Sequence, residues 1–247
     1  MQEKRPHLLS IAGLDPSGGA GLLADIKTME QLRVNGLSVC TCMTLQTEAE
    51  CFSATWRPTE EILGAVQFLM NHFEVDTVKI GIIKEVGLLT EVVNLVKSIN
   101  PNAQIVWDPV LKSTSDFSFF DLESLQYLAS ILKKISLVTP NYPEYELLKP
   151  YLFPPDQRPC SVLIKGGHNE WKPGTDILYT PLEIITLKPH HSSDQLYPKH
   201  GSGCVLSSAI ASYLALGEDL ENACRKGKTY IEEFLKSTPH LIGFHAI

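Results

Sequence analysis

Short apolar runs that alternate with segments of helical period are what most restrict the fold of this chain. Leu8–Ala12, Leu37–Leu45, Thr77–Ile80, Ile105–Asp108, Leu137–Thr139 and Val162–Lys165 read as strands. Between the first two, Gly21–Leu32 carries Leu22, Ile26 and Met29 on one face. Glu60–Phe73 and Val86–Ile99 have similar stripes. Asp121 is placed to cap a further helix striped by Leu122, Leu125, Leu128 and Leu132. Strands that are apolar throughout need cover on both faces, so the pattern predicts an α/β fold with a mostly parallel sheet between helical layers. A hairpin is expected over Asp176–Leu187, and two closing helices over Cys204–Leu216 and Leu220–Leu235. No repeat, low-complexity tract or linker divides the 247 residues, and 1–247 reads as one domain.

The polar punctuation falls mainly at the carboxyl ends of these strands. Gly13 to Gly21 follows the first, Gln46 the second and Gly81 the third. Asp108, Thr139-Pro140-Asn141 and Lys165-Gly166-Gly167 follow the next three. Open α/β sheets bind ligands outside that edge, so one site assembled from most of the chain is expected.

Within that site the most informative stretch is His200-Gly201-Ser202-Gly203-Cys204, followed by an apolar helical run to Leu216. Glycines at the mouth of a helix let backbone N–H groups approach an anion that the helix dipole also favours. A cysteine in the first helical turn is expected to have a lowered pKa. An anion cradle beside a candidate base suggests phosphoryl transfer to a small alcohol. Asp15-Pro-Ser-Gly-Gly-Ala-Gly21 is neither a P-loop nor the dinucleotide fingerprint, and reads equally as a ligand-lining loop or a bare turn. Asp25, one helical turn further on, is placed to face the same cleft, although by itself it reads as a solvated helix carboxylate. Asn141 and Glu144 have the spacing of a capping box, and also suit a hydrated Mg²⁺. Asp108 ends an apolar strand and is a candidate metal-side or phosphate-side carboxylate. Lys165, at a similar edge before Gly166-Gly167-His168, reads as a point charge for a phosphate or as part of a turn. A Cys204–histidine nucleophilic pair is conceivable. Here His200 is assigned to the anion loop, and His190 and His191 to solvated loop positions.

A formal charge of −7 argues against nucleic acid or an anionic membrane as the main partner. No apolar run reaches the ~18 residues needed to cross a bilayer, and Leu8–Ile11 is too short for a signal-peptide core. The six cysteines lack zinc-ligand spacing, and Cys40 and Cys42 alternate along a strand as core residues would. A cytoplasmic protein with reduced thiols is expected.

Taken together, Ser10-Ile-Ala-Gly-Leu-Asp-Pro-Ser-Gly-Gly-Ala-Gly21 with Ala24-Asp25, Lys79-Ile-Gly81, Trp107-Asp-Pro-Val110, Val138-Thr-Pro-Asn141, Leu163-Ile-Lys-Gly-Gly-His168 and His200-Gly-Ser-Gly-Cys204 run nearly the whole chain. In this order they resemble the hydroxymethylpyrimidine/phosphomethylpyrimidine kinases of thiamine biosynthesis, within the ribokinase-like superfamily. The resemblance implies a three-layer α/β/α sandwich and ATP-dependent phosphorylation of 4-amino-5-hydroxymethyl-2-methylpyrimidine, then of its monophosphate. Superfamily relatives carry aspartate as base in the anion loop, whereas this subgroup has cysteine there, matching Cys204 with Gly201, Ser202 and Gly203. The pyrimidine is implied to lie among Gly13, Ala20, Asp25, Gln46 and Val110. Thr139, Lys165, Gly167 and His200 are implied on the nucleotide side, and Asp108, Asn141 and Glu144 around Mg²⁺.

Several positions depart from the family pattern. Thr47-Glu48 replaces Asn-Thr after Gln46, and Ile82 replaces a methionine. Leu111-Lys-Ser-Thr-Ser-Asp116 lacks a Ser-Gly pair, and Lys199 stands where threonine is typical. Tyr142 to Cys160 is short, and Pro150, Pro154, Pro155 and Pro159 are expected to break its helix. A homodimer partner is expected to cover the deficit. The near rival is a pyridoxal kinase, against which Gln46 weighs because it suits an aminopyrimidine edge. A thiol hydrolase built on Cys204, or a pyrimidine- or nucleotide-binding regulator without turnover, would be read from ATP consumption.

Overall fold

The computed structural model describes residues 5–113, 117–154, 158–168, 174–190 and 195–245. Its centre is β1 (His7–Leu14), in which Leu8 to Gly13 are all buried. β1 pairs in parallel with β2 (Asn35–Gln46). β3 (Cys51–Trp56) turns back antiparallel to β2 and forms that edge of the sheet. On the other side of β1 come β4 (Val75–Ile80), β5 (Gln104–Trp107), β6 (Leu137–Val138) and β7 (Ser161–Ile164), all parallel. β8 (Asp176–Tyr179) and β9 (Ile184–Leu187) extend the sheet as the antiparallel hairpin expected from the sequence. The nine-stranded order is β3-β2-β1-β4-β5-β6-β7-β8-β9.

The crossovers carry α1 (Gly21–Gln31), α2 (Thr59–His72), α3 (Val86–Ile99), the short α4 (Ala129–Leu132) and α5 (Tyr142–Leu152). α6 (Ser202–Ala215) and α7 (Leu220–Lys236) close the chain. Alternation along the strands divides their side chains between two cores. Leu9, Ile11, Val78, Ile105 and Trp107 face α2 to α5, whereas Leu8, Val106, Leu137 and Leu163 face α1, α6 and α7. The result is the three-layer α/β/α sandwich of the ribokinase-like resemblance.

Two expectations need correction. The Asp121 segment forms a 3-10 stretch, Leu122–Tyr127, before α4, although the Asp121 side chain does cap it by accepting from Glu123 N at 3.1 Å. Leucines spaced by three line up on a 3-10 turn, and that register wins here. Pro150 sits in the last turn of α5 and does not break it. Leu148 and Leu152 are fully buried in the same core as Cys160, so the shortened segment still covers its face of the sheet. Pro155, Thr114 to Asp116 and His191 lie outside the described residues. Cys42 is buried as expected, whereas Cys40 is only half-buried. β3 was not foreseen, because as an edge strand it exposes Phe52 and Ser53 and shows no apolar run.

Candidate active site

The parallel strands and the crossovers leaving their carboxyl ends enclose a cleft of about 250 Å³. Every site residue implied by the resemblance lines it except Asp25 and Thr139. The α6 end of the cleft is built by close backbone contact. Gly201 caps α6 with φ +72°, and a β-carbon there would lie 2.0 Å from the Gly19 carbonyl oxygen, so no other residue fits. The turn after β1 is thereby pressed against the anion loop, and it serves as a wall of the cleft.

Asp15 fastens the two loops together. Its carboxylate accepts from Ser17 N and Oγ at 2.8 Å each, from Ala20 N at 2.9 Å, and from His200 Nε2 at 2.8 Å. Burial disfavours its charge, but the bonds from His200, Gln46 and Ser17 prevail and hold its pKa down to about 2. An ionised carboxylate only accepts, so Gln46 turns its amide N–H toward Asp15. His200 likewise donates through Nε2, and its buried Nδ1 has no partner among the described residues.

Cys204 lies in the first turn of α6, 7% exposed. The helix terminus was expected to lower its pKa, and the structure reverses that expectation. Burial pushes the thiol up to about 11, with Asp108 and Asp25 adding to the rise and the Lys79 ammonium opposing it. Roughly one part in ten thousand is thiolate at pH 7, from a gap of about four pH units.

Asp25 is neither a solvated carboxylate nor a cleft-lining one. It is fully buried and accepts from Ser10 Oγ at 2.5 Å, Ser208 Oγ at 2.6 Å, and Lys79 Nζ at 2.8 and 3.0 Å. The Lys79 ammonium is equally buried, which alone would discharge it, but the carboxylates of Asp25 and Asp108 raise its pKa. This knot ties β1, α1, β4 and α6 together beneath the anion loop. Sequence reading quotes Lys79 within a family motif but gives it no role, although a lysine in a strand covered on both faces needs a counter-charge.

Asp108 holds the neighbouring part of the wall. It accepts from Lys165 Nζ at 2.7 Å, Thr139 Oγ1 at 3.2 Å and Ser207 Oγ at 3.1 Å. Thr139 therefore sits behind Asp108, as its orienting partner. Despite complete burial, Lys165 and Lys79 keep Asp108 below the usual carboxylate range. Lys165 Nζ is 3.1 Å from where a β-carbon on Gly203 would sit, so this ammonium stands at the mouth of α6. Asn141 and Glu144 form the full capping box at α5, with bonds of 2.9 and 2.8 Å. The same Glu144 lines the cleft, where burial raises its pKa to about 7, Lys165 opposing and Asp108 assisting.

The far end of the cleft holds a second buried cluster that sequence reading did not single out. Lys228 Nζ is 2.9 Å from Asp176 Oδ2 and 3.6 Å from Glu232 Oε1, and Asp176 Oδ1 accepts from Gly166 N at 2.7 Å. His190 is half-exposed, with Nδ1 3.2 Å from Glu232 Oε2. Gly167 lines this part of the cleft, and the His168 side chain lies outside the described residues. No group of three or more His, Cys, Asp or Glu among the described residues could hold a metal by itself. No helix among them is long and apolar enough to cross a membrane.

Comparison with known proteins bears on the family and the fold. The model of the phosphomethylpyrimidine kinase family matches residues 15–246. A hydroxymethylpyrimidine/phosphomethylpyrimidine kinase of Aquifex aeolicus is 32% identical over 94% of this chain and 95% of its own. The chain spans about half the length of several other curated relatives. Among solved structures, phosphomethylpyrimidine kinase from Clostridium difficile superposes with a TM-score of 0.74 at 30% identity, covering 93% of this chain and 99% of that one. Pyridoxal kinase from Staphylococcus aureus in complex with ADP has a TM-score of 0.82 at 22% identity, covering 98% and 94%, which shows the shared fold. By the family match and the near full-length relatives, this chain belongs to the phosphomethylpyrimidine kinase family.

Proposed function

We propose that this chain transfers the γ-phosphoryl group of ATP to 4-amino-5-hydroxymethyl-2-methylpyrimidine and then to the resulting monophosphate. The observation that carries the reading is the junction of the turn after β1 with the anion loop. That junction brings the turn after β1 and the 200–204 loop, with Cys204, to one cleft wall, which supports reading them as alcohol pocket and phosphate cradle. Gln46 has its N–H on Asp15, which leaves its carbonyl oxygen to accept from the amino group of the pyrimidine. Gly13, Ala20, Val110, Ile82 and Phe119 supply the surrounding wall. Backbone N–H groups of Gly201 to Cys204, with the Lys165 ammonium beside them, face the place where charge develops on the transferring phosphoryl group. Cys204, once ionised, accepts the proton of the attacking alcohol. Lys79 opposes the burial that keeps the resting thiol protonated.

Mg²⁺ suits the residues present. Asp108 and Glu144 are two carboxylates on one cleft wall, one ionised and one lifted toward neutrality. Such a pair fits a hydrated ion held mainly by phosphates better than an all-protein cage. When bound, the ion neutralises phosphate charge. Asn141 orients Glu144 through the capping box.

One continuous sheet supports reading 1–247 as a single kinase domain. None of the six cysteines is joined in a disulfide, which supports a reducing, cytoplasmic setting. Met43, Leu45 and Phe52 on the β2–β3 edge are 55%, 64% and 57% exposed, and this apolar surface supports a homodimer. A monomer in light scattering at micromolar concentration would count against that assembly.

The test of the reaction is a time course with Mg-ATP and the pyrimidine, with products resolved by mass. Monophosphate followed by diphosphate is the expected result. ATP turnover only with pyridoxal would assign the rival activity, and no turnover with either acceptor would leave a binding protein.

A further inference from the structure

The segment Thr238–His245 follows α7 and runs back to the two loops that shape the α6 end of the cleft. The Lys199 ammonium donates to the Thr238 carbonyl, and the His200 backbone N–H donates to the Leu241 carbonyl at 2.9 Å. Ile242 Cδ1 lies 2.7 Å from where a β-carbon on Gly19 would sit, so its side chain closes directly onto the turn after β1. Phe244 and His245 tie the segment back to α7. Phe244 N donates to Ser237 Oγ at 3.0 Å. The His245 ring packs on Phe234, with centroids 4.8 Å apart, and its Nδ1 is 3.0 Å from Tyr230 Oη.

We propose that Thr238–His245 is a strap that positions the anion loop, with Lys199 as its tie. Lys199 is thereby a positioning residue and makes no phosphate contact. The loop it steadies begins at a left-handed glycine, which has no side chain to fix it. Donors aimed at a developing charge must be held within about 0.5 Å, so an external brace on such a loop has a direct consequence for rate. Lys199 is 6% exposed, and a buried ammonium needs an acceptor, which the Thr238 carbonyl provides. The lysine also borders the cleft, so a swing toward phosphate is the rival role that the experiment must separate. The strap rests on the kinase reading for its effect on rate, whereas the accessibility of Cys204, in the helix turn that the braced loop opens, is read without it.

The experiment uses the full chain with Lys199→Met, Lys199→Arg and Ile242→Ala. It measures kcat, the KM values for ATP and alcohol, and the rate at which iodoacetamide labels Cys204, followed by peptide mass. Lys199→Met and Ile242→Ala are expected to lower kcat by roughly tenfold, with both KM values within about twofold. Labelling of the buried Cys204 should become several-fold faster in both, and Lys199→Arg should restore the slow rate. Ile242→Ala changes no charge and keeps the test available if Lys199→Met does not fold. Wild-type labelling rates in both variants would overturn the strap. So would a tenfold rise in KM for ATP in Lys199→Met with labelling unchanged, which would make Lys199 a phosphate ligand. A wild-type protein without kinase activity that still shows faster labelling in the variants would refute the kinase reading and leave the strap standing.

Discussion

Removing Lys79 should destabilise the protein sharply, and removing its partner as well should restore much of the loss. Lys79 and Asp25 are both completely buried, and both oxygens of Asp25 lie within 3.0 Å of Lys79 Nζ. Removing one member of a buried pair strands the other charge, at a cost of about 3–5 kcal/mol. In Lys79→Met the stranded carboxylate keeps the Ser10 and Ser208 hydroxyls as donors, which points to the lower end, about 3 kcal/mol. In a chain of this size 1 kcal/mol corresponds to about 2–4 °C, so Tm should fall by about 6–12 °C. Asp25→Asn removes the paired carboxylate of a buried ammonium, leaves it only the unpaired attraction of Asp108, and should cost at least as much. The double variant carries no stranded charge and should cost about 1–2 kcal/mol, which makes the coupling at least ~4 kcal/mol. Urea unfolding of all four proteins without ligands measures it. Additivity within ~0.5 kcal/mol would refute the reasoning. So would an Asp25→Asn variant of normal stability whose only defect is a raised KM for the pyrimidine, because Asp25 would then be the substrate contact that the family resemblance implies.

Other substitutions probe the cleft itself. Cys204→Ala should lose about 10²–10⁴-fold in kcat with little change in substrate binding, measured by steady-state kinetics and titration calorimetry. Because burial lifts the Cys204 thiol to about 11, kcat should still be rising between pH 7 and 9, and Cys204→Asp should flatten that rise. Gln46→Leu should raise KM for the pyrimidine by about tenfold, since one hydrogen bond to the substrate is lost. Asp15 has its native pKa near 2, below the unfolded value of about 3.9. Its stabilising contribution is complete above the unfolded value and disappears as pH falls toward 2, and Asp15→Asn should remove that part of the acid limb in a stability–pH profile.

Most of the architecture was legible because two-sided burial leaves a plain mark. The parallel strands are nearly continuous apolar runs, and the crossover helices carry stripes against them. β3 left no such mark because only its inner face packs, and Leu122, Leu125 and Leu128 fit two helical periods equally well. The cleft was legible where glycine had to permit close approach, as at Gly201. Charges were read less well, because their role depends on what the fold brings opposite them. Asp25 looks like any helix carboxylate until Lys79 from β4 meets it. Cys204 sits at a helix terminus that lowers a thiol pKa in water, yet complete burial outweighs the terminus. Lys228 and Glu232 lie one turn apart on α7, but Asp176 stands 52 residues earlier on β8, and only the folded chain brings it to them as one cluster.

In the proposed reaction the Gln46 pocket and the 200–204 loop select an aminopyrimidine alcohol for phosphorylation. A competition assay tests it most directly, with the hydroxymethylpyrimidine and pyridoxal at equal concentration, limiting Mg-ATP, and both phosphorylated products counted by mass. Pyrimidine phosphate is expected in at least tenfold excess, falling toward parity in Gln46→Leu. Pyridoxal phosphate as the main product, or a ratio that Gln46→Leu leaves unchanged, would contradict it.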